Sequence, residues 1–158
     1  MRHLKKFESL NCDEDSRKEI EDIFTDLDTN YPVDIHVFST CGSKYFNEES
    51  KISVYIDPIR EMSNGILKDS NINFGEIIKS IWEKIEFARK LGFETIDGNY
   101  GYITTKEKSN KSGHSWNNSK KDRFVETLDL NDNLFDGILS GDVELNKNII
   151  EAQINFKP

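Results

Sequence analysis

The segment from Asn73 to Gly92 constrains the fold more than any other part of this chain, because it predicts one long amphipathic helix. Asn73 can cap the first turn, and Glu76, three residues later, completes a capping box. Gly92 lies where a left-handed residue commonly ends a helix. The apolar side chains recur at three- and four-residue intervals and therefore share one face: Phe74, Ile77, Ile78, Ile81, Trp82, Ile85, Ala88 and Leu91.

A second helix and two strands precede this central helix in the sequence. Ser16 and Glu19 form another capping box, which predicts a helix over Ser16–Asp28. Alternating apolar residues then predict strands at Val33–Thr40 and Lys51–Asp57. We expect Ile81 and Trp82 of the central helix to be buried against the second of these strands.

The rest of the sequence, on either side of the central helix, predicts mostly strands. Residues 59–72 have no clear pattern and are predicted to cross irregularly to the central helix. Asp97-Gly98 is a typical hairpin turn. The strands are predicted at residues 93–96, 100–105, 124–130, 134–139, 142–145 and 149–156. The fold class is therefore α+β, with two main helices packed on one face of a mainly antiparallel sheet. We divide the chain into an N-terminal arm, residues 1–15, and a single domain, residues 16–158.

The charge distribution argues against general nucleic-acid binding. The net charge is −8, whereas a surface that binds phosphates usually has a positive balance. Segment 13–34 contains nine acidic residues against two basic ones, and segment 126–151 contains seven against one. Segment 106–123 is the exception, with six basic residues against two acidic ones. An acidic body with one basic loop is the expected electrostatic pattern.

Composition also bears on location and redox state. No stretch approaches the roughly 18 apolar residues that a membrane helix needs, and the opening MRHLKKFESL has no apolar core of secretory length. We therefore expect no membrane association and a cytoplasmic location. Cys12 and Cys41 lack C-x-x-C spacing, so both are expected to be reduced, with Cys41 an inert loop cysteine.

The motifs for catalysis and for metal binding are incomplete. His36 on a strand and His114 in the basic loop could act as acid and base on a phosphodiester, as in two-histidine phosphoesterases. In that family Thr or Ser follows each histidine by two residues, but here Phe38 and Trp116 do. Residues 129–133 resemble the start of an EF-hand loop, yet the required glycine and glutamate are missing. We expect no metal and no cofactor.

The basic loop is the best candidate for a ligand-binding site. Its cations could bind a phosphate group, and its tryptophan could stack on a base. Long loops without secondary structure are usually either functional or disordered, so a solvated loop that carries no site is the alternative. The candidate residues are Lys106, Lys108, Lys111, His114, Trp116, Lys120, Lys121 and Arg123.

The first eleven residues, MRHLKKFESLN, resemble the M-K-x-L-K-x-F-E-x-F openings of many small orphan proteins of tailed bacteriophages. The resemblance implies a phage origin and therefore a location in the host cytoplasm. In some large phages comparable peptides direct proteins into the prohead, which makes a virion-associated protein an alternative.

These observations favour an accessory protein that acts by binding and not by catalysis. The partner is expected to be a host or phage protein contacted through the acidic surfaces, or a small phosphorylated ligand such as a nucleotide held by the basic loop. An antagonist of host defence would fit this description. A small phosphodiesterase or nucleotide hydrolase that uses His36 and His114 is the enzymatic alternative.

Overall fold

The structure is a computed structural model that describes residues 14–42, 45, 49–107 and 125–158. Within these residues it contains three helices and eight strands. The helices are α1 (Glu14–Asn30), α2 (Phe74–Lys90) and α3 (Asp132–Ser140). The strands are β1 (Val33–Thr40), β2 (Lys51–Pro58), β3 (Arg60–Ser63), β4 (Ile66–Asp69), β5 (Glu94–Thr95), β6 (Gly101–Glu107), β7 (Val125–Leu130) and β8 (Lys147–Lys157). The α+β class predicted from the sequence is confirmed.

The main sheet has six antiparallel strands with the last strand of the chain at its centre. The strand order is β1-β2-β8-β6-β7, and the short β5 pairs with β8 next to β6. Strand β8 therefore lies between the β1–β2 pair and the β6–β7 pair. Strands β3 and β4 form a separate two-stranded sheet.

One side of the main sheet faces the hydrophobic core. Alternate residues of β1, β2, β6 and β8 on this side are almost fully buried: Val33, Val37, Ile52, Val54, Ile56, Ile103, Ala152, Ile154 and Phe156. Helix α1 contacts β1, β2 and α2, whereas α2 contacts β8 and β5. The ring of Phe24 on α1 meets Phe156 on β8 edge to face, with centroids 6.0 Å apart.

Both predicted caps of α2 are present. The backbone N–H of Glu76 donates to the side-chain oxygen of Asn73 at 3.2 Å, so Asn73 is the N-cap. Gly92 has a φ of 100°, and the N–H of Phe93 donates to the carbonyl of Ala88 at 3.1 Å. This 6→1 bond and the left-handed glycine together form a Schellman motif.

The predicted apolar face of α2 is buried except at two positions. Ile81 is fully buried, as expected, whereas its contact with the second strand stays a prediction. Trp82 is only partly buried, and its ring packs on Phe135 of α3 with centroids 4.1 Å apart. The predicted burial of Trp82 against the second strand is therefore wrong, because α3 occupies that side of the helix. Leu91 at the C-terminus is 55% exposed.

Three local predictions in the second half of the chain are wrong. Residues 134–139 belong to helix α3, where Asn131 caps the first turn by accepting the N–H of Leu134 at 2.9 Å. Residues 142–145 form no strand. Residues 93–105 do not fold into a hairpin around Asp97-Gly98, since β5 and β6 both pair with β8 and not with each other.

Residues 59–72 are also more regular than predicted, because they contain the β3–β4 hairpin. Asn64 and Gly65 at its turn have φ values of 53° and 75°. Two successive left-handed residues are the requirement of a type I′ turn, which Asn-Gly favours. The sequence thus contained a hairpin signal that the weak alternation of its flanks obscured.

The expectation of reduced cysteines is wrong for Cys41, which is disulfide-bonded. The sequence contains one other cysteine, Cys12, which lies outside the described residues. Helix α1 begins at Glu14, two residues earlier than predicted. The rest of the predicted N-terminal arm lies outside the described residues.

Candidate binding surface

The side of the main sheet that points away from the core carries polar and aromatic residues in register across five strands. His36 lies opposite Tyr55, and Tyr55 lies opposite Gln153. Gln153 lies opposite Tyr102, which in turn lies opposite Asp129. Residues directly opposite each other point to the same face, so these five form one row roughly 19 Å long at the usual strand spacing. We call the side of the sheet that carries this row the open face.

Aromatic rings cluster on the β1–β2 half of the open face. Phe38 is 57% exposed and contacts the ring of Tyr55 edge to face, with centroids 5.8 Å apart. The imidazole of His36 stacks near Phe38 at 6.4 Å. Aromatic side chains with this exposure are frequent anchors of protein interfaces, because they bury a large area with few rotatable bonds.

Hydrogen bonds order the centre of the open face. Ser53 donates from its hydroxyl to the side-chain oxygen of Asn155 at 2.7 Å, and the amide of Gln153 donates to the same oxygen at 3.0 Å. The hydroxyl groups of Thr104 and Thr127 are 3.2 Å apart. The polar groups at the centre of the open face therefore satisfy one another.

Unpaired carboxylates flank the aromatic cluster. Asp34 lies directly opposite Asp57, an arrangement that destabilises a sheet because like charges face each other. Among the described residues neither forms an ion pair, nor does Glu151. Burial raises the pKa of Tyr102, and the nearby Glu151, Tyr55 and Asp57 raise it further. The open face is therefore electronegative as well as aromatic.

A second polar feature, around Arg89, serves a structural role. Its guanidinium donates to Thr95 at 2.9 Å, to Asp132 at 3.0 Å and to Glu86 at 2.9 Å. Burial lowers the pKa of Arg89, but the hydrogen bonds to Asp132 and Glu86 outweigh it, so the pKa is raised. The charge is neutralised locally, and the group joins α2 to β5 and α3. The adjoining cleft of about 330 Å³ is consequently a weak candidate for an anion site.

Most of the predicted ligand-binding loop lies outside the described residues. This applies to Lys108, Lys111, His114, Trp116, Lys120, Lys121 and Arg123. Lys106 is described and is half-buried on β6, opposite Val125 and Asn148. The loop therefore connects two paired strands, and its proposed ligand chemistry stays a prediction.

Of the two candidate catalytic histidines, only one lies in the described part of the chain. His36 is exposed on the open face, where its nearest ring neighbour is Phe38. His114 lies outside the described residues, so their meeting around one substrate also stays a prediction. Among the described residues no three His, Cys, Asp or Glu side chains are grouped to hold a metal ion.

Sequence reasoning missed the open face, although one signal for it was present. The alternation in β1 places Asp34, His36 and Phe38 on the side opposite Val33 and Val37. The same pattern does not reveal which residues of β8 and β6 continue the row.

The chain matches no protein-family model, and no curated protein or solved structure is significantly similar to it. In the part of the chain that the structure describes, none of the helices combines the length and apolar character required to cross a membrane.

Proposed function

We propose that this chain is a non-enzymatic accessory protein of a tailed bacteriophage that acts by binding a host protein through the open face. The observation that carries the proposal is the aromatic cluster of exposed Phe38 and His36 with half-buried Tyr55, bordered by carboxylates that form no ion pair within the described residues. The phage origin rests on the N-terminal resemblance alone.

The proposal assigns a different role to each side of the sheet. We infer that α1 and α2 lie together on the core side, because α1 contacts β1 and α2 contacts both β8 and α1. In this arrangement the described helices α1 and α2 leave the open face available to a partner. Its acids cost stability where they face each other, and a sequence selected for stability alone would pair them with lysine. Retaining Asp34 opposite Asp57 is consistent with a cationic partner surface.

The test is retention of a partner from a bacterial lysate by the immobilised protein, followed by affinity measurement with the purified partner. Phe38→Ser and Tyr102→Ser should each weaken binding by about 2 kcal/mol or more, as truncation of aromatic anchors does. Leu139→Ser is the matched control, because Leu139 is 77% exposed and belongs to α3, outside the row of residues on the open face. Retention that survives both open-face changes would contradict the proposal.

Two further measurements complete the design. Since Cys41 is disulfide-bonded and disulfides are rare in a reducing cytoplasm, retention should be compared with and without reductant.

Turnover of cyclic dinucleotides or oligonucleotides that disappears in His36→Ala or His114→Ala would contradict the non-enzymatic assignment and establish the hydrolase alternative.

A further inference from the structure

Helices α1 and α2 enclose a groove that is separate from the open face. The two helices contact each other, and the groove between them has a volume of about 350 Å³. Its lining combines acidic and apolar side chains: Glu19, Asp22, Ile23 and Asp26 of α1, with Lys84, Phe87 and Leu91 of α2 and its C-cap.

The α2 side of the groove is apolar and exposed. Phe87 and Leu91 are 51% and 55% exposed, and their spacing of four residues places them next to each other on the helix surface. Ile23 of α1, which is nearly buried, continues the strip. Isolated exposed apolar residues are common, but adjacent ones beside a concave surface often mark an interaction site.

The α1 side of the groove is acidic and largely unneutralised. Asp26 is bound by Lys84 at 3.0 Å. Glu19 and Asp22 are exposed, and neither forms an ion pair within the described residues. Arg17, on the same helix, already binds Glu14 and Glu21, each at 2.7 Å. The groove thus offers two carboxylates that have no ion-pair partner among the described residues, beside an apolar strip.

Helix stability does not explain these acidic residues. The positive end of a helix dipole favours acids in the first turn, whereas the last turn favours bases. The last turn of α1 has no basic residue, and Asp28 lies within it. Glu19 and Asp22 therefore lie beyond the first turn, where the helix dipole favours acids, and they form no ion pair within the described residues that would compensate.

We propose that the α1–α2 groove binds a basic amphipathic helix of a protein partner. One or two large apolar residues of that helix pack between Phe87 and Leu91 over Ile23, and its lysine or arginine residues pair with Glu19 and Asp22. The acids from Glu19 to Asp26 span about 10 Å along α1, which corresponds to roughly two turns of a partner helix. An amphipathic helix placed in a groove between two helices is an established recognition mode.

The test uses a synthetic helical peptide of lysine and leucine as the probe, with all leucines on one face. The controls are a peptide of the same composition with its leucines spread around the helix, and a glutamate–leucine peptide with the original pattern. Affinity is measured by titration calorimetry, and the binding site is mapped by backbone amide chemical shifts. We expect the patterned basic peptide to bind at least about tenfold more tightly than either control, with shifts concentrated at Ile23, Phe87 and Leu91.

Matched variants separate this groove from the open face. The double change Glu19→Lys with Asp22→Lys should weaken binding by at least about tenfold, whereas Asp34→Lys with Asp57→Lys alters the charge equally and should have little effect. Phe87→Ser should also weaken binding, and Leu139→Ser should not. If a lysine variant fails to fold by circular dichroism, Glu19→Gln with Asp22→Asn tests the same point.

Several outcomes would overturn the inference. Equal binding of the patterned and spread peptides would show attraction to net charge alone. Shifts centred on Tyr55 and Tyr102 would move the site to the open face. Self-association of the protein that Phe87→Ser abolishes would identify a second copy of the chain as the occupant of the groove. None of these measurements depends on Phe38. The groove proposal can therefore be wrong while the proposed function of the open face is right, and the proposed function can be wrong while the groove proposal is right.

Discussion

The hydroxyl group of Tyr100 is buried beside a carboxylate. Its side chain is 2% exposed, and it donates to Asp132 at 3.1 Å. Burial raises the pKa of Tyr100, and the negative charge of Asp132 raises it further, while Arg89 lowers it. The net effect is a raised pKa, so the folded state holds the phenolic proton more tightly than the unfolded state does.

This raised pKa predicts a loss of stability at alkaline pH. Protonated Tyr100 stabilises the folded state fully below a pH of about 10, the pKa of tyrosine in the unfolded chain. This stabilisation is lost as the pH rises above that value. The free energy of unfolding should therefore decrease from about pH 10 upward, and Tyr100→Phe should remove part of this decrease. Urea unfolding of both proteins between pH 7 and 11 measures the difference. An identical pH dependence in the two would show that Tyr100 titrates as it does in the unfolded chain.

Gly101 lies at the start of β6, where the backbone of β8 approaches closely. A Cβ atom at this position would overlap the carbonyl oxygen of Gln153 and approach Ile154 Cα to 3.1 Å. Both neighbours are backbone atoms in the central strand, which cannot move without disturbing the ladder. Glycine is therefore required here for space and not for a left-handed conformation.

Gly101→Ala should destabilise the fold by about 1–3 kcal/mol, the usual cost of overpacking, and toward the upper end because backbone atoms are involved. Gly137→Ala in α3 is the matched control. There the added methyl meets only Val143 Cγ2 at 3.1 Å, and alanine favours the helix by up to about 1 kcal/mol. Urea unfolding should place the two variants on opposite sides of the wild type. Equal effects would mean that β6 and β8 can separate at Gly101.

At the scale of elements, α2 is specified mostly by its own sequence. Its cap at Asn73, its stop at Gly92 and its buried face all follow from local pattern. Helix α3 carries similar signals, with Asn131 as its N-cap and the left-handed Gly141 at its C-cap. At nine residues it is too short for its periodicity to outweigh the alternative interpretation as a strand.

Ile81 tests whether α2 organises the core. Its side chain is fully buried, so Ile81→Ala should reduce the free energy of unfolding by roughly 2–5 kcal/mol through lost transfer energy and the cavity left behind. Leu139→Ala, on the exposed surface of α3, should change it by less than about 0.5 kcal/mol. A loss at Ile81 as small as the loss at Leu139 would mean that the helix does not depend on this contact.

For the molecule as a whole, the net charge of −8 means that acidic groups repel one another in the compact state. The ion pairs among the described residues are at the surface and contribute about 0–1 kcal/mol each. Salt weakens both the attraction within ion pairs and the repulsion between acids. We expect the repulsion to be the larger effect, because acids such as Asp34 and Asp57 form no ion pair within the described residues.

We therefore expect the free energy of unfolding to rise when NaCl is added from about 0.01 to 0.15 M, as the Debye length falls from about 30 to 8 Å. The urea midpoint at pH 7 measures this change. In Asp34→Asn with Asp57→Asn the gain should be smaller, because one source of repulsion is gone. A midpoint that falls with salt would show that the ion pairs outweigh the repulsion.

The division between sequence and tertiary structure follows the range of the interactions. The sequence by itself determined α1, α2, β1, β2 and the α+β class, because caps and periodicity act over a few neighbouring residues. The pairing of β6 with β7 also follows from their positions in the sequence, because the two strands flank a single loop. Local alternation even placed His36 and Phe38 on the outer side of β1.

Only the tertiary structure decided how distant segments meet. Strand β8 enters the sheet between β2 and β6, so Tyr55 and Tyr102 become neighbours through Gln153. Arg89 meets Asp132 across 43 positions of sequence. Period-two patterns state which face a residue occupies but carry no information on which strand lies alongside. Strand order and register emerge only when all the buried faces are packed together, and the open face and the α1–α2 groove exist because of that packing.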